Sequence, residues 1–343
     1  MVRSSEIFPP ELETNLAKIA TSETAINRIA VIEGAVEKET IQSDSIRKAE
    51  SNMNPITPTL GGKQFWTDYF IFREWRIQKN YLTKHFRLLD DRDKRKASGT
   101  FKECKAKFIE ISTEEKFDPL SKKAVLLLHG LGRTRNSMNK LAKCFAANGY
   151  TPINFGYAST RAPIKAHAEA LAKVISSLDG VEEIYVVGHS MGNIVFRAYL
   201  SHFIDDATQK NGDPRIQASV MIAPPNNGAY IARILKPTGV FGLVLGKSGN
   251  ELASRWDEFA MNLATPTHRF AIVAGKFNYN PLFKVDNDFV VSVDETKLVG
   301  ADDFQVYNAM HATIMANKEV VESVLRFFEK GFLKTEAEKN PLK

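Results

Sequence analysis

The sequence predicts an α/β protein, a mostly parallel central sheet with helices on both faces, preceded by a helical arm and a small ancillary segment. Three observations carry that prediction. From Ala124 onward, short apolar runs alternate with stretches of helical periodicity, the rhythm of strands joined by crossover helices. The runs Ala124–Leu128 and Ile184–Val187 are continuously apolar, as strands buried on both faces are. The chain has 343 residues, 43% hydrophobic and 25% charged, enough for a large core without the composition of a disordered or fibrous protein.

The elements follow in chain order. Residues 1–60 are rich in Glu, Lys, Thr, Ser and Ala. Leu12, Leu16, Ile19, Ile26 and Ile29 form one helical stripe that loosens after Gly34, so this stretch reads as a polar, partly helical arm. Asn54-Pro55-Ile56-Thr57-Pro58 followed by Gly61-Gly62 marks a boundary. Residues 61–121 crowd Phe65, Trp66, Tyr69, Phe70, Phe72, Trp75, Tyr81, Phe86 and Phe101 among basic residues. Trp75–Lys79 and His85–Leu89 predict a β-hairpin turning near Lys79-Asn80. This segment is expected to pack on the domain that follows. Within 122–331 the predicted strands are Ala124–Leu128, Thr151–Tyr157, Glu183–Val187, Ser219–Ile222, Phe270–Ala274 and Gln305–Asn308. Helices are expected at Asn136–Asn148, Pro163–Leu178, Asn193–Phe203 and Lys318–Phe328, with a polar tail over 332–343.

Composition excludes several function classes. Two cysteines, Cys104 and Cys144, form neither a disulfide framework nor a metal-ligand cluster. Net charge is only +6, and the interleaved aromatic and basic residues of 61–121 match no nucleic-acid-binding pattern, so no nucleic acid partner is expected. The charge is uneven: six basic against nine acidic residues in 1–60, then fourteen against ten in 61–119. The longest apolar run, Gly239–Gly246, has eight residues, where a membrane span needs about 18 or more. No transmembrane segment is therefore expected, which leaves peripheral membrane contact open. No signal-peptide h-region follows Met1, so cytoplasmic residence is the default expectation.

In a parallel sheet the reactive site lies at the carboxyl ends of the strands. There, directly after Ile184–Val187 and before a helix pattern, stands Gly188-His189-Ser190-Met191-Gly192. A Gly-x-Ser-x-Gly turn between strand and helix thrusts its serine out at the top of the sheet. The flanking glycines remove side chains that would collide with their neighbours, and the helix N-terminus favours developing negative charge. A serine hydroxyl is a weak nucleophile near neutral pH and needs a base oriented by an acid. Of seven histidines, His311 follows the last predicted strand, at the correct end of the sheet and last in the chain. Asp288 is the preferred acid, because it directly precedes the strand-like run Phe289-Val290-Val291. Asp286 in the same turn is the nearest alternative, suited to capping or assisting, with Asp294 and Asp302 more remote. Two backbone donors would complete an oxyanion hole: the N–H of Met191, which follows the serine, and that of Leu131 in His129-Gly130-Leu131-Gly132, the loop after the first core strand.

With these residues assembled, the sequence resembles the α/β-hydrolase superfamily, and more narrowly its bacterial lipase and esterase branch. The likeness rests on Val125–Gly132, Val187–Gly192, the segment from Asp288 to Val293, and His311. Weaker echoes are Tyr157–Arg161 and Ala223–Gly228. Asn193 departs from the pattern, since many members carry a further glycine there, and helix packing rather than chemistry should feel the change. The resemblance implies ester hydrolysis through an acyl-enzyme by Ser190, Asp288 and His311. No cofactor or metal is expected, and the partner is a small-molecule ester or lipid. Acyl transfer or complex-lipid deacylation on the same triad is an alternative, and a non-catalytic scaffold that binds a partner is another.

The segment 226–266 is apolar and glycine-rich and reads equally as a lid over the site or as a helix of the core. Arg133, Arg135 and Arg161, on loops at the active-site end, either meet a substrate carboxylate or phosphate or form ordinary surface ion pairs, the latter preferred.

Overall fold

The computed structural model describes residues 62–202, 204, 205, 208, 210–227, 262–277 and 286–343. The expected N-terminal arm and all but the margins of the expected lid segment lie outside the described residues. Among the described residues no helix is long and apolar enough to cross a membrane.

The aromatic segment forms its own antiparallel sheet in the order β1-β2-β3-β4, made of β1 (Trp66–Phe72), β2 (Trp75–Asn80), β3 (Phe86–Leu89) and β4 (Arg95–Gly99). The predicted hairpin corresponds to β2 and β3, paired from Lys79 and Phe86 to Arg76 and Leu89. Sequence reading missed β1, whose bulge between Asp68 and Phe70 breaks the period-2 pattern, and β4, whose Arg95–Gly99 is mostly polar and exposed. Helix α1 (Phe101–Glu114) closes the layer. Thr100 caps it and exchanges hydrogen bonds with Glu103 in a capping box. Phe70, Ile77, Phe86, Leu88, Cys104 and Phe108 form the core of this layer.

The second sheet has six parallel strands in the order β10-β9-β8-β7-β5-β6. They are β5 (Lys123–Leu128), β6 (Thr151–Phe155), β7 (Glu183–His189), β8 (Ile216–Ile222), β9 (Arg269–Lys276) and β10 (Asp303–Asn308). Helices α2 (Asn139–Ala147), α3 (Ile164–Ser176), α4 (Met191–Leu200), the short α5 (Val293–Thr296) and α6 (Lys318–Lys330) accompany it. Side chains alternate across each strand, so two cores form. Leu126, Leu128 and Val186 pack with Leu171, Val174, Ile194 and Val195 of α3 and α4. Val125, Leu127, Val187 and Val220 pack with Leu141 and Phe145 of α2 and Val324 and Phe327 of α6. Helices thus cover both faces, as expected, and the strand order doubles back between β5, β6 and β7, which opens a crevice at the carboxyl ends.

The stretch 332–343 is polar in sequence but is laid against the sheet rather than trailing from it. Leu333 is fully buried, its N–H donates to Asp303 Oδ2 at 2.7 Å, and Leu342 N–H donates to Ala301 O at 2.9 Å. Asn340 O accepts from Phe304 N–H on the β10 edge strand, a backbone donor that would otherwise be open to another chain.

Candidate active site

Four loops meet at the carboxyl end of the parallel sheet, those after β7 and β10, that after β9, which carries Asp288, and that after β5. The first is the turn between β7 and α4. Ser190 adopts φ 52° and ψ −123°, a conformation that L residues seldom hold and that costs about 1–3 kcal/mol. Two surroundings enforce it. Ser190 N–H donates to Ile222 O at the end of β8 (2.9 Å), and Asn193 Nδ2 donates to Ser190 O (3.2 Å) and Ile222 O (3.1 Å). Space is the other constraint. A Cβ on Gly192 would stand 2.5 Å from Leu128 O and 2.9 Å from His129 O, and one on Gly188 would stand 2.1 Å from Asn193 Oδ1. Asn193 is therefore part of the turn: its amide fills the space left by Gly188 and ties the turn to β8. An effect on helix packing, as the sequence suggests, is therefore not its main one: one of its two partners, Ile222 O, lies on a strand about 30 residues away.

The second loop follows β10 and meets the third, after β9, at Asp288. His311 Nδ1 lies 2.7 Å from Asp288 Oδ2 and its Nε2 lies 3.0 Å from Ser190 Oγ. Backbone bonds fix the arrangement, with His311 N–H donating to Asp288 O at 2.9 Å. Asp288, 1% exposed, also accepts from the N–H groups of Val290 (3.0 Å) and Val291 (2.7 Å) through Oδ1. The run after Asp288 is thus a tight turn leading into α5, not the strand suggested by its apolar residues, and the turn exists to wrap backbone donors around the carboxylate. The other carboxylates lead elsewhere. Asp286 pairs with Lys276 (2.8 Å), Asp294 with Lys297 (2.7 Å), and Asp302 Oδ2 accepts from Phe270 N–H (2.9 Å). Ser190 and His311 are largely buried, at 7% and 9% exposed.

The fourth loop follows β5. Gly130 runs against the serine, and a Cβ placed on it would lie 3.1 Å from Ser190 Cβ. Next in the chain is Leu131. Among the described residues neither the Leu131 nor the Met191 N–H has a hydrogen-bond acceptor.

His189, beside the serine, places its Nε2 3.0 Å from His311 O. A carbonyl only accepts, so Nε2 carries the proton, and burial, reinforced by the neighbouring His311, holds the imidazole pKa well below its usual value. The neutral ring thereby steadies the backbone of His311. His129 is likewise kept neutral, its pKa lowered to about 4 mainly by burial. It stacks on Tyr157 with ring centroids 4.1 Å apart, and the Tyr157 hydroxyl donates to His129 O. No sequence signal pointed to these contacts.

Of the loop arginines, Arg135 pairs with Asp93 (2.5 Å) and Arg161 lies over the Phe65 ring, whereas Arg133 donates to Ala312 O at 3.2 Å. Among the described residues no three His, Cys, Asp or Glu side chains converge as a metal-ligand set. A cleft of about 380 Å³ lined by Lys140, Phe277, Asn308, Met310 and Asn317 adjoins His311 through Met310, but Ser190 does not line it.

A parallel sheet that presents a serine on the strand-to-helix turn after its fourth strand from one edge, with a histidine from the loop after the last strand, defines the α/β-hydrolase class. The comparisons agree: residues 123–296, half of the chain, match the profile of the alpha/beta hydrolase fold, and the chain belongs to that family. The match spans Ser190 and Asp288 and stops short of His311. No curated protein sequence matches. Solved structures similar to this chain include a gene product of Listeria innocua, 19% identical, covering 66% of this chain and 99% of the other with a TM-score of 0.43. Others are a thermophilic esterase from Thermogutta terrifontis (14% identical, 64% and 93% covered, TM-score 0.41) and polyneuridine aldehyde esterase (15%, 60% and 99%, 0.40). At such identities the likeness speaks to neither substrate nor mechanism. Family membership supports a hydrolase in general.

Proposed function

We propose that the chain is a serine hydrolase that cleaves carboxylic esters through an acyl-enzyme, with Ser190 as nucleophile, His311 as general base and acid, and Asp288 as the orienting acid. One observation carries the proposal: a continuous hydrogen-bonded path from Asp288 Oδ2 through His311 to Ser190 Oγ, at 2.7 and 3.0 Å. In this reading Asp288 accepts the Nδ1 proton and so leaves Nε2 as the base. Ser190 Oγ attacks the ester carbonyl while its proton passes to Nε2. The tetrahedral oxyanion is met by the N–H groups of Met191 and Leu131. His311 then gives its proton to the departing alcohol, and a water activated by the same Nε2 releases the acid. Phe289 and Met310, beside Asp288 and His311, expose about two fifths of their surface, which favours an apolar ester.

Fluorophosphonate labelling tests the assignment. Wild type is expected to label on Ser190 and Ser190→Ala to stay unlabelled. An unlabelled wild type, or equal labelling of both, would overturn it. Hydrolysis of p-nitrophenyl esters of graded length then sets the acyl preference, and a strong preference for C2–C4 over C8–C16 would exclude a lipase.

A further inference from the structure

The hydrolase reading leaves the four-stranded layer of β1–β4 without a role, yet that layer is bonded step by step to the segment following β6. Asp68, fully buried, accepts from Arg76 Nη1 (2.7 Å), Gln78 Nε2 (2.7 Å) and Gly156 N–H (2.6 Å), and its own N–H donates to Gly156 O (2.8 Å). Thr67 Oγ1 accepts from Ala158 N–H at 3.2 Å. Just before β1, Gln64 reaches the same segment and also the loop after β5. Its Oε1 accepts from Ser159 Oγ (3.1 Å) and Thr160 N–H (3.3 Å), and its Nε2 donates to Arg133 O (2.8 Å). Ser159, fully buried, accepts from Gly132 N–H through the same hydroxyl at 3.1 Å. The hydroxyl has one proton, which goes to Gln64, and a lone pair for Gly132, so it donates and accepts in the sense its chemistry allows.

The consequence is geometric. The peptide before Gly132 is held through its N–H by Ser159, the one after it through Arg133 N–H by Gly130 O (3.2 Å), and the next through the Arg133 carbonyl by Gln64. Gly132 is at φ +69° with no atom within 4 Å of a Cβ placed on it, so packing supplies no restraint there. The peptide immediately preceding is that of Leu131, whose N–H must point at the oxyanion. From the same loop the Arg133 guanidinium reaches Ala312 O, next to His311.

We propose that Gln64 is a positioning residue of the active site: acting through Ser159, it fixes the 131–133 loop so that the Leu131 N–H stays aimed at the oxyanion, and this is what the N-terminal layer contributes to the reaction. The proposal rests on the serine-hydrolase reading for its catalytic consequence. The restraint on the loop stands independently of it. Gln64 touches no reacting atom. Oxyanion donors act chiefly in the transition state, so a loosened loop should lower kcat and leave KM nearly unchanged.

The test uses the full chain with Gln64→Ala, the isosteric Gln64→Glu, Ser159→Ala and the Gln64→Ala/Ser159→Ala pair. Amide hydrogen exchange across 130–133, steady-state kinetics on a p-nitrophenyl ester and thermal unfolding are measured on each. Faster exchange of the Gly132 amide is expected in every variant, with kcat lower by about tenfold or more, KM within about threefold, and an unfolding midpoint close to wild type. Gln64→Glu matters most, because a residue that only fills space tolerates it, whereas a carboxylate cannot donate to Arg133 O. The double variant should be no worse than the poorer single variant, since both break one chain. Unchanged exchange at Gly132, or kcat within twofold of wild type in Gln64→Glu, overturns the proposal. If wild type neither hydrolyses the ester nor labels with fluorophosphonate, the hydrolase reading fails, and the exchange result alone then upholds or overturns the brace.

Discussion

At the scale of single residues, the site depends on groups whose freedom has been removed. Ser190 is held in a strained backbone conformation by Ile222 O and by the Asn193 amide. Asp288 is surrounded by the N–H groups of Val290 and Val291, and His311 is steadied through its carbonyl by His189. Asp288 orients the histidine by accepting from Nδ1, so replacing it with Asn should present a donor and favour the wrong tautomer. Asp288→Asn is accordingly expected to lower kcat by about 10³–10⁴-fold with little change in KM, read by ester kinetics. A loss below tenfold would assign the acid elsewhere. The serine turn and the final histidine were legible in sequence because local spacing and chain order carry them. Asn193, His189 and Gln64 were not, because their roles are defined by backbone atoms of distant segments.

At the scale of elements, each loop of the candidate site is an excursion from the end of a strand, and its precision comes from what packs behind it. The layer β1–β4 holds a buried pair, Asp68 and Arg76, at 2.7 Å, with both side chains essentially inaccessible, and the pair reaches the β6 end through Gly156 N–H and Asn154 O. Removing one partner leaves the other buried without its counter-charge. Arg76→Met should therefore destabilise the fold by about 3–5 kcal/mol, measured by urea unfolding. A change under 1 kcal/mol would mean that water reaches Asp68. Sequence reading found the β2–β3 hairpin and placed the segment as a packing layer, but β1 escaped it. An aspartate in the middle of a strand looks like a surface residue until Arg76, Gln78 and Gly156 are brought to it.

At the scale of the whole molecule, the core carries several histidines that cannot ionise in place. Burial lowers the pKa of His129 to about 4, of His167 to about 3 and of His268 to about 4. Each would titrate near 6.5 in the unfolded chain, so between about 6.5 and about 4 the unfolded state binds more protons than the folded one. Their neutral burial is thus fully stabilising above about pH 6.5, and that stability is lost as the pH falls toward about 4. The thermal midpoint is expected to drop over that interval with a slope of several protons, and His268→Gln should flatten it by about one proton. A midpoint that is level from pH 7 to pH 4.5 would contradict the assigned burial. None of this was legible in the sequence, where a lone histidine on a helix or strand is silent about its depth.

The sequence by itself determined the α/β class, the order of the core strands and helices, and the identity of the residues that meet at the serine turn. Those properties follow from local periodicity and from the steric demands of one five-residue turn. The tertiary structure decided which carboxylate reaches His311, that Asn193 completes the turn, and that the N-terminal layer reaches the loop beside the serine through Gln64 and Ser159. These depend on hydrogen bonds between segments up to about a hundred residues apart in the chain. Each such bond needs a partner whose position only the folded sheet supplies.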